Sequence, residues 1–217
     1  MTRFPLFVCF FLLCISVLVN AKPQTIIRIA ATLNGQSIEL NKPTTDDITI
    51  ETLKFYITNI KLLENNAVKW TEKESYHLID LADSTTMNIL LTHGKKRKFD
   101  ALEFDLGVDS LTNEKGAMGG DLDPLKGMYW SWQSGYINFK LEGRFGGQRF
   151  EYHIGGYAYP NNTIRRIRIP ITNTKQVTLN PELGKLIRKL NKKDVYKVLS
   201  PGKKANIIAD SLTYCFK

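Results

Sequence analysis

Hydrophobic residues alternate with polar ones along most of the chain, in runs too short for long helices. Thr25 to Leu33 and Gln36 to Leu40 flank Asn34-Gly35, a pair that supplies the positive backbone angles of a tight hairpin turn. Pro43 and the polar cluster Thr44 to Asp47 form a loop. Ile48 to Leu63 is rich in β-branched and aromatic residues, so it reads as one long or bent strand, which Glu64-Asn65-Asn66 turns back through Val68 and Trp70. Tyr76 to Leu81 alternates so that His77 shares a side with Ile79 and Leu81 and faces inward. Met87 to Thr92 is ambiguous between strand and helical turn. His93 precedes Gly94 and the basic run Lys95 to Lys98, an exposed turn, and is read as a solvated histidine.

Phe99 to Val108 is a strand, and Asp109 to Lys126 a long glycine-containing loop of the kind that serves as a lid. Ser134 to Phe145, Gln148 to Tyr157 and Thr163 to Ile171 are three further strands, the first two joined at Gly146-Gly147. In the second, Phe150, Tyr152 and Ile154 share one side, which leaves His153 on the polar side with Arg149 and Glu151. Asn180-Pro181 signals a helix start, and a basic helix is expected from there to about Lys192. Gly202 to Phe216 reads as a last helix with Ile207, Ile208 and Leu212 on one apolar stripe. Many strands at short spacing, without repeat or linker, predict an all-β fold: an antiparallel β-sandwich with one or two C-terminal helices, as a single domain over residues 22–217.

The first 21 residues change where this domain is expected to work. Arg3, the apolar run Leu6 to Val19 and Ala21 have the order of a secretory signal peptide, and the run is short for a membrane span. A periplasmic or secreted protein follows. Phe11, Leu12 and Leu13 ahead of Cys14 lack the small residues of a lipidation site. Cleavage removes Cys9 and Cys14, so Cys215 remains alone and neither an internal disulfide nor a cysteine zinc site is expected. The formal charge of +9 falls to +8 with the loss of Arg3. Its basic runs, including Lys185 to Lys193, are scattered and read as solvated faces more readily than as a nucleic-acid grip.

Gly119 to Tyr136, GGDLDPLKGMYWSWQSGY, joins a flexible acidic loop to the densest aromatic cluster in the chain. If the segment from Met128 is extended, Trp130 and Trp132 point the same way and form a paired indole surface. Filling a core is the other reading. No nucleophile elbow, P-loop, dinucleotide fingerprint or HExxH motif occurs, so hydrolase chemistry has little support and no enzymatic activity is expected. Asp121 and Asp123 offer oxygen ligands, but the other positions of a calcium loop are missing. Imidazoles suit copper, and His77 and His153 become a site if the fold brings them together.

The run GAMGGDLDPLKGMYWSWQSGYINFKLEG, with KFYITNIKL and YHLID upstream and FEYHIGG and PGKKANIIADSLTYCF downstream, resembles the MbnP-like copper-binding proteins, named for a partner of methanobactin systems. The resemblance spans nearly all of the chain after the leader. It implies an exported β-sandwich binding one copper ion, as Cu(I), for storage or delivery. His77, His153 and a tryptophan would form the site, and Trp130 and Trp132 match the family's WxW. It also implies oxidation of a tryptophan, Trp132 favoured, to kynurenine, tied to a di-haem cytochrome c peroxidase-like partner. Cysteines that some members place after the histidine strand are absent here. A carbohydrate-binding or adhesion module remains the alternative, with Trp130 and Trp132 as an exposed stacking platform and the aspartate loop holding calcium.

Overall fold

A 17-residue strand at Ile48–Glu64 carries the fold, because sheet partners line both of its edges. The structure, a computed structural model, describes residues 22–94, 98–133 and 135–216. The leader read over residues 1–21 lies outside them, as do three positions of the basic run at 95–98. In chain order the elements are β1 (Gln24–Ile29), β2 (Thr32–Leu33), β3 (Gln36–Ser37), β4 (Ile48–Glu64), β5 (Ala67–Thr71), β6 (Tyr76–Asp80), β7 (Asn88–Thr92) and β8 (Ala101–Leu106). There follow α1 (Ser110–Glu114), β9 (Tyr129–Trp130), β10 (Gly135–Phe145), β11 (Gln148–Gly155), β12 (Arg165–Pro170), β13 (Gln176–Leu179), α2 (Gly184–Asn191), β14 (Lys197–Val198) and α3 (Lys203–Thr213).

The alternation in β1 buries Thr25, Ile27 and Ile29 and leaves Gln24, Ile26 and Arg28 outward. Their inward side meets the large sheet in one core, where Phe55 of β4 stacks on Phe139 of β10 at 5.7 Å and meets Phe216 edge-on. Burying each such side chain contributes about 1.5–3 kcal/mol. The all-β class with C-terminal helices follows from these elements. Two strand pairs, β1 with β13 and β11 with β14, are parallel, contacts between segments too distant in sequence for a turn signal to announce.

β10 and β8 share one edge of β4 and part at Tyr56. Phe55 stands opposite Phe139 and Ile57 opposite Leu106, while β6 runs along the other edge. A fork in a sheet leaves backbone groups without ladder partners, and two buried asparagines supply them. Asn138 accepts from the Val108 amide and donates to Thr163, and Asn113 accepts from the Tyr136 amide and donates to the Val108 carbonyl.

Residues 109–130 fold over the face of β4 turned away from the main core. Tyr56, Leu78, Val108, Leu122, Met128, Trp130, Tyr136 and Ile137 form a second core there. The expected lid is therefore a packed cover: Tyr56 donates to the Asp121 carbonyl at 3.0 Å, Tyr136 to the Leu122 carbonyl at 3.0 Å, and Asp121 accepts from the Leu78 amide at 3.2 Å.

Other expectations shift by small steps. Asn180 does not cap the basic helix, since its Oδ1 accepts from Thr32 and α2 begins at Gly184. In α3 the buried stripe is Ala205, Ile208, Ala209 and Leu212, and Ile207 faces out. His93 is not solvated: it is 4% exposed, lies 3.1 Å from the Thr25 hydroxyl and packs edge-on against Phe99.

Candidate functional site

Tyr152 and Ile154 point into the main core, so the two-residue period of β11 turns His153 to the other face. It heads a row of directly opposed residues, His153, Lys140, Lys54 and Asp80, across four adjacent strands. Its Nε2 lies 2.7 Å from Glu142 Oε1, and Glu142 Oε2 accepts from Thr52 at 2.7 Å. Lys54 pairs with Asp80 at 2.8 Å, and the two lysines donate to the Lys126 and Gly127 carbonyls, tying the end of the cover to the row.

Burial pushes the His153 pKa down, and the Glu142 carboxylate only partly opposes it. Burial also works against the Glu142 charge, but hydrogen bonds from Thr52 and His153, with Lys140 nearby, outweigh it and hold that carboxyl below the usual range. The outcome is a neutral imidazole oriented by a carboxylate. A carboxylate orients metal-ligating histidines in the same way, and here it engages Nε2 and not Nδ1. Sequence reasoning missed Glu142.

Trp130 packs on the same strand. A Cβ on Gly155 would lie 2.7 Å from its Cζ3, so only glycine lets the indole lie on β11 two residues beyond His153, on the same face. The strand ends there: the Gln133 amide donates to the Trp130 carbonyl and residues 131–133 turn. The extended continuation that would present two parallel indoles is absent. Trp130 is 6% exposed and Trp132 66%, with ring centroids 5.8 Å apart and planes tilted by 46°. One indole is core and the other is surface, so no paired stacking platform forms. A small cavity of about 180 Å³ lies beside Trp130, bounded by Gln133, Tyr157, Tyr159, Asn161 and Pro201.

His77 stands opposite Ile57, on the face of the sheet turned to the main core, with its Nε2 2.7 Å from Glu72. Three strand spacings separate β6 from β11, about 14 Å. Two imidazoles on one ion need nitrogens within about 4 Å of each other. The structure therefore places His153 and Trp130 on one face, with the Trp132 ring against Trp130, and His77 on the other face. Among the described residues no three His, Cys, Asp or Glu side chains are grouped to hold a metal ion. Asp121 and Asp123 do not form an open oxygen site, because Asp121 binds Lys126 and the Leu78 amide and Asp123 caps the turn at Leu125.

Comparison with known proteins places this geometry in context. The family model described as MbnP matches residues 22–202. Among solved structures, MbnP from Methylosinus trichosporium superposes with a TM-score of 0.55 at 12% identity, over 74% of this chain and 76% of that one, a likeness of fold. No curated protein matches the chain.

Proposed function

The chain belongs to the MbnP family, and on that premise we propose that it is an exported copper-binding protein that holds one Cu(I) beside the WxW turn, for storage or delivery. The observation that carries the reading is His153: a neutral, carboxylate-oriented imidazole on the strand face that also seats Trp130 and, against it, Trp132. A coordinating imidazole must be neutral, and the environment of His153 keeps it so. Cuprous ions accept few ligands in forgiving geometry, so one imidazole and a neighbouring soft or aromatic-amine donor are chemically adequate.

Trp132 is the indole placed for modification, since it is exposed to a partner while Trp130 is enclosed. Conversion of Trp132 to kynurenine would create an aromatic amine where the intact indole is a poor ligand. A di-haem cytochrome c peroxidase-like protein is the partner the family resemblance suggests as oxidant. His77 would reach this ion only if β6 were displaced; its Nε2 lies against Glu72 instead. No helix among the described residues is long and apolar enough to cross a membrane. Export to the periplasm or beyond rests on the leader.

The test is the mass and metal content of protein purified from its own export pathway. One copper per chain after Cu(I) loading, and added mass on the peptide containing Trp130 and Trp132, are expected. Copper absent after loading would overturn the reading, and an unmodified peptide would remove the kynurenine part alone. The stacking-platform alternative loses its geometric basis with the burial of Trp130.

A further inference from the structure

The basic run of α2 is not spread evenly around its helix. Leu186, Ile187 and Leu190 are buried, Arg188 is tied to Asp46 and Asn34, and Lys185 and Lys189 project together one turn apart. Both are exposed, and among the described residues neither has an ion-pair partner. They border a cleft of about 680 Å³ whose opposite wall is α3, with Ser211 and Tyr214 at the rim and Leu186 and Cys215 at the floor. Ile207 and Ser211 of α3 and Tyr214 at its C-terminal cap recur at the i, i+4, i+7 spacing of one helix face. Ile207 is 49% exposed and Tyr214 78%, so two uncovered apolar side chains flank Ser211, and Tyr214 is the one that borders the cleft.

The acidic group in the cleft offsets one of the two lysine charges and is held by other donors, so the cleft stays net cationic. Glu182 is held by the amides of Asn34, Gly35 and Gly184 and by the Thr32 hydroxyl. These donors outweigh burial and hold its carboxyl below the usual range, so its hydrogen-bonding capacity is engaged within the chain. Two ammonium groups without an ion-pair partner among the described residues stand on one wall, and the exposed Tyr214 ring stands on the other above Leu186. A flat membrane surface would touch the rims and leave the floor empty, whereas an inserted chain segment fills it.

We propose that the cleft between α2 and α3 docks an acidic segment of a partner protein, with Lys185 and Lys189 meeting its carboxylates and Leu186 and Tyr214 covering its apolar side chains. The site lies on other elements than His153 and the tryptophans, so the proposal is independent of copper binding. Charges at such a rim act strongly on association and make it salt-dependent.

The test uses the whole chain without its leader. Fluorescence anisotropy is followed with a labelled peptide of alternating Glu and Leu, and with its Lys counterpart. The acidic peptide is expected to bind and to weaken with added salt. Lys185→Glu with Lys189→Glu should weaken it by about tenfold or more, because like charges would then face each other. Tyr214→Ala should weaken binding without removing its salt dependence. Both variants change exposed side chains, and an unaltered thermal transition verifies their fold. Equal binding of the two peptides, binding unchanged by the lysine reversal, or no binding of the acidic peptide would overturn the proposal. Binding to vesicles of anionic phospholipid without binding to the peptide would overturn it in favour of a membrane surface.

Discussion

His153 stays neutral around pH 7 because burial disfavours its charged form more than Glu142 favours it. A histidine whose folded pKa lies below its unfolded value of 6.5 takes up more protons when the chain unfolds. Its contribution to stability is complete above pH 6.5 and is lost as pH falls from there through the folded pKa. Glu142 adds a second loss, below its unfolded value of 4.5, as its carboxylate is protonated. Denaturant unfolding measured at successive pH values should show falling stability on acidification from 6.5, and His153→Gln should flatten the upper part of that fall. Gly155 is a position where one atom decides the local structure beside the site, because an added Cβ meets the Trp130 ring and the Tyr136 carbonyl. Gly155→Ala should cost about 1–3 kcal/mol and displace the indole, read as a lower denaturation midpoint with altered tryptophan emission. The outward direction of His153 was legible from alternation. So, in principle, was its neighbourhood: the turn at Gly146-Gly147 pairs Phe145 with Gln148 and hence Lys140 with His153.

At the scale of elements, the cover over residues 109–130 separates what pattern reveals from what packing decides. Its glycines and length suggested a mobile lid. Tyrosine hydroxyls and the Asp121 carboxylate, however, bind it to the sheet, and Leu122 and Met128 fill a core beneath it. Asp121→Ala should release the cover while leaving the main core intact. The expected reading is faster amide exchange across residues 109–128 with little change in β10 and β11. The buried asparagines at the fork were equally opaque, since their role exists only once β8 and β10 part along β4. β4 itself was legible as one long strand because β-branched and aromatic residues persist along it.

At the scale of the whole molecule, the β-rich class and C-terminal helices followed from strand spacing, but the relation between the two histidine strands did not. A histidine's face can be read from its own strand. The distance between two such faces depends on how many strands intervene and on which side of the sheet each lies. That topology placed His77 three strands and one sheet face away from His153, and it buried Trp130 while exposing Trp132. The account therefore rests its copper site on one imidazole and the indole turn, not on a histidine pair. The most direct test is Cu(I) titration of protein purified from its native host against a competing cuprous chelator, with His153→Ala and His77→Ala in parallel. One high-affinity Cu(I) is expected in the natural chain and in His77→Ala, and its loss in His153→Ala. Retention of full affinity in His153→Ala would contradict it.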